Sequence, residues 1–157
     1  TEKIARRGLH VFREYGVDPL ERSFVDQVMT RDVVAIPADM PIVEARERFF
    51  GVGQTHRGYP VVDGRTLLGM VRREDLVADG IGAMRGLMGN GIGPVALAGE
   101  TCRSVASRMA ATGVERLPVM ESEGSHALLG IVSRSDLLST ARETHEDESQ
   151  REKFLGR

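Results

Sequence analysis

The sequence predicts an α/β chain of the α+β kind, made of two β-α-β-β-α units packed through their sheets as one pseudo-two-fold module. Three observations carry this. A segment around residue 70 recurs around residue 131, each copy shows the same order of strand-like and helix-like apolar patterns, and a glycine-rich stretch separates them. The chain has 157 residues, 41% hydrophobic and 28% charged, which allows one ordinary domain or two very small units. A three-stranded sheet with two helices buries little apolar area alone, so the two copies are expected to pack together.

The repeat is legible residue by residue. Gly69-Met70-Val71-Arg72-Arg73-Glu74-Asp75-Leu76 aligns with Gly130-Ile131-Val132-Ser133-Arg134-Ser135-Asp136-Leu137, an offset of 61 (130 against 69). Tyr59-Pro60-Val61-Val62 aligns with Leu117-Pro118-Val119-Met120 at an offset of 58 (118 against 60). Extra residues in the second hairpin loop absorb the difference.

Each unit opens on a short apolar strand, residues 33–36 and 94–97. Asp39, with Pro41 placed for a first helical turn, opens a helix through Phe50 whose Ile42, Ala45 and Phe49 keep helical spacing. In the second unit Thr101 caps a helix with Cys102, Val105, Ala106 and Met109 facing the core, and Gly113 stops it. Hairpins follow: residues 59–62 with 67–71, then 117–120 with 128–132. Short closing helices begin near Arg73 and Ser133. The expected layout is therefore a connector at 1–21, repeat 1 at 22–79, a linker at 80–93, repeat 2 at 94–141 and a charged tail at 142–157. The linker holds six of the 18 glycines and reads as flexible, with Met84, Leu87 and Met88 packing loosely. A phosphate loop at residues 89–93 is excluded, because the segment leads into a strand rather than a helix.

Composition excludes several function classes. Acidic and basic residues number 23 and 21, for a net charge of −2, without the basic excess of a nucleic-acid binder. Aromatics are 4% with no Trp, which leaves no base-stacking platform. One Cys forbids an intramolecular disulfide, and the four His share no ligand-like spacing, so no metal cofactor is expected. No apolar run approaches a membrane span, and no signal-peptide pattern is present. The chain begins at Thr1, not Met, and is expected to be a piece of a longer protein.

Ser133-x-x-Asp136 has two readings. It suits a helix N-cap with a carboxylate at the third helical position. It also suits chemistry, since that carboxylate can accept two ribose hydroxyls while the Ser hydroxyl and first-turn N–H groups hold phosphate. Capping accounts less well for the recurrence, where Asp75 returns but Arg72 replaces the Ser.

This duplicated pattern, with its apolar-Pro-Val strand, resembles a tandem pair of CBS domains over roughly residues 22–141. The resemblance implies a regulatory module that binds ATP, ADP, AMP or a related adenosyl ligand between its repeats and pairs into disc-like homodimers. Carried over by position, Asp136 takes ribose hydroxyls, Ser133 approaches phosphate and Arg134 adds charge. The loop His56, Arg57, Tyr59 and Pro60 covers the base, and either Val95 and Ala96 of the second repeat or Val34 and Ile36 of the first wall it; core packing is the plainer role for Tyr59, Ile36 and Val95. A weaker second site falls on Asp75, Arg72, Arg116 and Pro118, with Glu115 set to repel phosphate.

Residues 1–8 and 14–21 resemble the connector that leaves the last membrane helix of ClC-family chloride channels and transporters, and Val25-x-x-Val28-Met29 opens the first CBS domain as in that family. Lys3, Arg6, Arg7 and Arg13 against Glu2 give the charge bias expected just inside a membrane. On this reading the chain is a soluble regulatory part at the cytoplasmic face of a membrane, partnered by the transmembrane chloride-transport domain of the same polypeptide. The alternative is a CBS pair that stands free or serves a different effector. Catalysis is not expected, since no Cys or His pairs with a nucleophile motif.

Overall fold

A computed structural model describes residues 18–54, 56–76 and 80–143. Helices α1 (Pro19–Arg22) and α2 (Val25–Val28) lead into β1 (Ile36–Pro37), α3 (Ile42–Phe50) and the hairpin β2 (Gly58–Asp63) and β3 (Thr66–Arg72). A 3-10 turn at Arg73–Asp75 closes the first repeat, and a second at Met84–Leu87 leads into the next. Repeat 2 runs β4 (Ala96–Leu97), α4 (Cys102–Thr112), β5 (Arg116–Ser122) and β6 (Ser125–Ser133), and residues 134–143 form a closing helix, α5. In both repeats the short first strand pairs parallel with the second and the hairpin is antiparallel. The strand order is β1-β2-β3-β6-β5-β4. The two half-sheets meet edge to edge at Thr66↔Ala127, beside an Arg65 carbonyl that accepts from the Leu128 N–H at 2.9 Å.

Two hydrophobic cores result. One holds Ile36, Ile42, Ala45, Phe50, Tyr59, Val61 and Val71; the other holds Ala96, Cys102, Val105, Met109, Leu117, Val119 and Val132. Each is completed by the segment that leads into the opposite repeat. Val25 and Met29 complete the core of repeat 2, and Met84, 0% exposed, completes that of repeat 1. The exchange is symmetric at the main chain. The N–H groups of Val25 and Asp26 donate to Glu100 and Ala98 at 3.0 and 3.2 Å, and those of Met84 and Arg85 donate to Met40 and Ala38 at 2.9 and 2.8 Å. Ser23 accepts from Cys102 and Gly82 from Ile42 at 2.8 and 2.9 Å. This swap ties the two small cores into one unit.

Several expectations change. The linker is not loose: Met84 is a core residue, and Leu87 and Met88 pack half-buried against the same cluster. The first strands shrink to two residues each. Helix α3 starts at Ile42 with Pro41 in the cap position, and Asp39 lies outside it, accepting from Arg85 at 3.2 Å, where Asp63 joins the same guanidinium. Thr101 and Gly113 behave as the sequence indicates. The Thr101 hydroxyl accepts from the Ser104 N–H at 3.2 Å, and Gly113 adopts φ 72°, a left-handed cap that suits glycine. The turn at Arg73 is 3-10, and residues 77–79 lie outside the described residues. So do most of the connector, residues 1–17, and the tail from residue 144.

Glu100 anchors α4 to β4. Its carboxylate takes both guanidinium nitrogens of Arg108 at 2.8 and 2.5 Å, the Leu97 N–H at 2.9 Å and the Ser104 hydroxyl at 3.1 Å. Arg108 holds the Glu100 carboxyl below the usual range, against the opposing effect of burial. A carboxylate depressed in the folded state adds stability that is present above its unfolded pKa and lost as pH falls through the folded value. Urea melts across the acid range are therefore expected to show wild type losing stability faster than Glu100→Gln as pH drops below about 4.3. Parallel curves would contradict this.

Candidate ligand cleft between the repeats

Strand β3 alternates sides, so Val71 enters the core while Met70 and Arg72 face away from it. The chain then turns, and the Asp75 carboxylate accepts from the Arg72 N–H at 2.7 Å. Three other segments close around this strand end: the loop at His56, Arg57 and Gly58, the segment from Leu87 to Pro94, and the loop at Gly113–Arg116. Together they bound a cavity of about 940 Å³. Its polar lining is Arg57, Arg72, Arg116 and the His56 imidazole against Asp75 and Glu115. Its apolar lining is Met70, Leu87, Met88, Ile92 and Val114. Arg116 spans the two repeats, donating to the Gly58 carbonyl at 2.9 Å. The Glu115 carboxylate lies 3.6 Å from the Arg134 guanidinium, and the Glu115 main-chain carbonyl accepts the Arg134 N–H at 2.8 Å.

The other half is built on the same plan with a different outcome. Ser133 donates its N–H to Asp136 at 2.8 Å, and the Asp136 N–H donates to the Ser133 hydroxyl at 3.1 Å, a reciprocal cap on α5. One carboxylate oxygen carries that bond, and the other is free of protein partners among the described residues. Thr30 pairs with Ile131 through two main-chain bonds of 2.8 and 2.9 Å, and Met29 lies over Gly130. Met88 lies over Gly69 in the same way. Gly89, which follows it as Thr30 follows Met29, makes no such pair with Met70.

The structure thus brings His56, Arg57, Arg72, Asp75 and Arg116 together at one cavity, whose lining does not include Ser133, Arg134 or Asp136. Ile36, Tyr59, Pro60, Ala96 and Pro118 are buried, and Val34 is 54% exposed. Val95 is half-buried, its carbonyl accepting from Arg108 at 2.8 Å. The apolar lining is absent from the sequence reading, although a signal for it exists. Met84-x-x-Leu87-Met88 repeats Val25-x-x-Val28-Met29, so the linker carries the opening motif of repeat 2.

Tyr59 makes edge contacts with Phe49, Phe50 and His56 at 5.2, 5.2 and 5.6 Å between ring centres. Its hydroxyl is buried without a hydrogen-bond partner among the described residues, and burial pushes its pKa up, partly countered by the charge of Arg116. A buried unpaired hydroxyl costs about 1–3 kcal/mol, so Tyr59→Phe is expected to raise the urea midpoint; a lowered midpoint would mean that the hydroxyl is satisfied in solution. Cys102 is buried in the second core, its thiol pKa pushed up by burial. Among the described residues no three His, Cys, Asp or Glu form a group able to hold a metal ion, and no helix is long and apolar enough to cross a membrane.

The duplicated plan matches a known one: the family model for the CBS domain matches residues 25–80 and 94–143. The chain belongs to the CBS domain family. It carries the CBS unit twice, as a tandem pair. No curated protein matches it. Among solved structures, this CBS pair is similar to an uncharacterized conserved protein from Pyrococcus horikoshii, at 24% identity and a TM-score of 0.65 over 83% of this chain and 60% of that one. It is also similar to CBSX2 in complex with AMP, at 23% identity and a TM-score of 0.64 over 78% and 98%. A third likeness is the cytosolic domain of the Mg2+ channel MgtE in complex with ATP, at 27% identity and a TM-score of 0.60 over 76% of this chain and 49% of that chain.

Proposed function

We propose that this CBS pair is a regulatory module that binds an adenine nucleotide (ATP, ADP or AMP) between its repeats. The observation that carries the proposal is the cavity of about 940 Å³ in which Arg57, Arg72 and Arg116 converge with Asp75 beside an apolar wall. Arginines suit phosphate oxygens, a carboxylate suits ribose hydroxyls, and an apolar wall suits a purine face. The solved complexes of CBSX2 with AMP and of the MgtE domain with ATP support the same ligand class. Asp136 and Ser133 offer the equivalent groups in the other half. The sequence ranks that half first, whereas the open cavity and its cations favour the Asp75 cleft for the first ligand.

The effector in this proposal is the chloride-transport domain of a ClC-family protein, with the module at the cytoplasmic face and paired as a homodimer. Support comes from the resemblance of residues 1–21 to the connector of that family and from their basic bias. The likeness to the cytosolic domain of the Mg2+ channel MgtE supports a membrane effector in general, and it equally supports an effector other than a chloride pathway. Nucleotide alters the effector only if it binds two arrangements of the module unequally.

Calorimetric titration with ATP, ADP, AMP and S-adenosylmethionine tests the binding step. A saturable heat with at least one of them is the expected result; none with any of them overturns the proposal. Chloride flux through the longer polypeptide, with and without the ligand that binds, tests the effector.

A further inference from the structure

A second cavity, of about 480 Å³, lies outside the ligand cleft, between α4 and α5. It runs from Arg103 in the first turn of α4 to Glu115 beyond its end. Its floor is shallow, because Ala106, Ala110 and Gly113 recur at helical spacing along α4, and Leu137, Leu138 and Ala141 of α5 form the facing wall. Leu138 is 55% exposed there, a large apolar side chain that the described residues leave open. The chain itself enters at one end of this groove. Leu20 lines it, and Asp18 is ion-paired with Arg103 at 2.6 Å, so residues 1–17 start from its rim.

Those residues carry a pattern that neither core uses. At helical spacing Ile4, Gly8, Leu9, Val11, Phe12 and Tyr15 share one face, and Lys3, Arg6, Arg7, His10 and Arg13 share the other. We infer that this leading segment docks as an amphipathic helix in the groove, with its apolar face on Ala106, Ala110 and Leu138. Tyr15 stands three residues before Asp18, within about 11 Å of chain, which suffices to turn the segment onto the groove. Residues 3–15 extend about 20 Å as a helix, against about 17 Å for α4, so the lengths match. Entry at Arg103 sends the basic start of the segment towards the exposed carboxylate of Glu115 at the far end. The tail is the poorer occupant, since Phe154 and Leu155 are its only apolar residues. Gly113, Val114 and Glu115 wall both this groove and the cleft beside Asp75, so the docked segment and the cleft share one loop.

Paramagnetic broadening in NMR spectra of the whole chain tests this. A nitroxide is attached at His10→Cys, on the polar face of the segment, the native Cys102 being buried. The amides of Ala110 and Leu138 are expected to broaden. Phe12→Asp, and Leu138→Asp at an exposed position outside both cores, should each abolish that broadening. No broadening of either amide, or broadening that survives both substitutions, overturns the inference. Broadening passed from labelled to unlabelled molecules in a mixed sample overturns it in favour of a second copy. The same broadening from a label at Ser149→Cys, and none from residue 10, overturns it in favour of the tail. Sharp groove amides in a chain that binds phosphatidylserine vesicles overturn it in favour of a membrane surface.

Discussion

Gly130→Ala is expected to destabilise the module by about 1–3 kcal/mol, a cost typical of overpacking at a site that cannot relax freely. A Cβ at this position would stand 2.7 Å from the Thr30 carbonyl oxygen and 2.7 Å from the Met29 sulfur. The methionine end can swing aside. The carbonyl cannot, because Thr30 is held there by the two main-chain bonds to Ile131 that seat the leading segment on repeat 2. The substitution therefore pushes Met29 and Val25 out of the second core, not merely one side chain. Urea unfolding measures the loss. Met29→Ala in the same background should recover little of it if the main-chain clash dominates. A midpoint within error of wild type would mean that the exchanged segment is not seated as described.

Asp75→Ala is expected to weaken AMP binding by about 10–100-fold, the range for losing hydrogen bonds to a charged group. Asp75 is exposed, and it accepts one main-chain bond, from the Arg72 N–H at the turn. The folding cost should be a fraction of the binding cost. Asp136→Ala loses the matching bond from the Ser133 N–H and keeps the residue-136 N–H donating to the Ser133 hydroxyl, so its folding cost should be of similar size whether or not nucleotide is present. Calorimetry and urea melts on both variants separate the two roles. Unchanged AMP affinity in both variants would remove the carboxylates from the ligand site. A loss confined to Asp136→Ala would move the first site to the other half. Arg116→Ala should weaken ATP more than adenosine, since its charge is suited to phosphate while its bond to Gly58 is structural in either case.

Much of this was visible in the chain itself. The repeat of Gly69 to Leu76 in Gly130 to Leu137 marks both hairpin ends, and Thr101 and Gly113 mark both ends of α4, because caps and left-handed stops are local chemistry. His56, Arg57, Arg72, Asp75 and Arg116 were legible as polar groups near strand ends. Asp39 misled, because an Asp two residues before a Pro resembles a cap, whereas Arg85 from the distant linker engages it. The linker misled too. Its glycines mask the Met84-x-x-Leu87-Met88 motif, and an apolar residue between glycines gives no periodicity to read.

By itself, then, the sequence determined the duplicated β-α-β-β-α plan, the residues that alternate into each core and the carboxylate at each turn. These follow from local propensity and spacing. Only the tertiary structure decided that each repeat borrows the opposite leading segment, and that the cleft over Asp75 is open where Thr30 pairs across the other. Those outcomes depend on which main-chain edges meet between distant segments. Side-chain patterns leave that choice open, since every non-proline residue carries the same N–H and C=O.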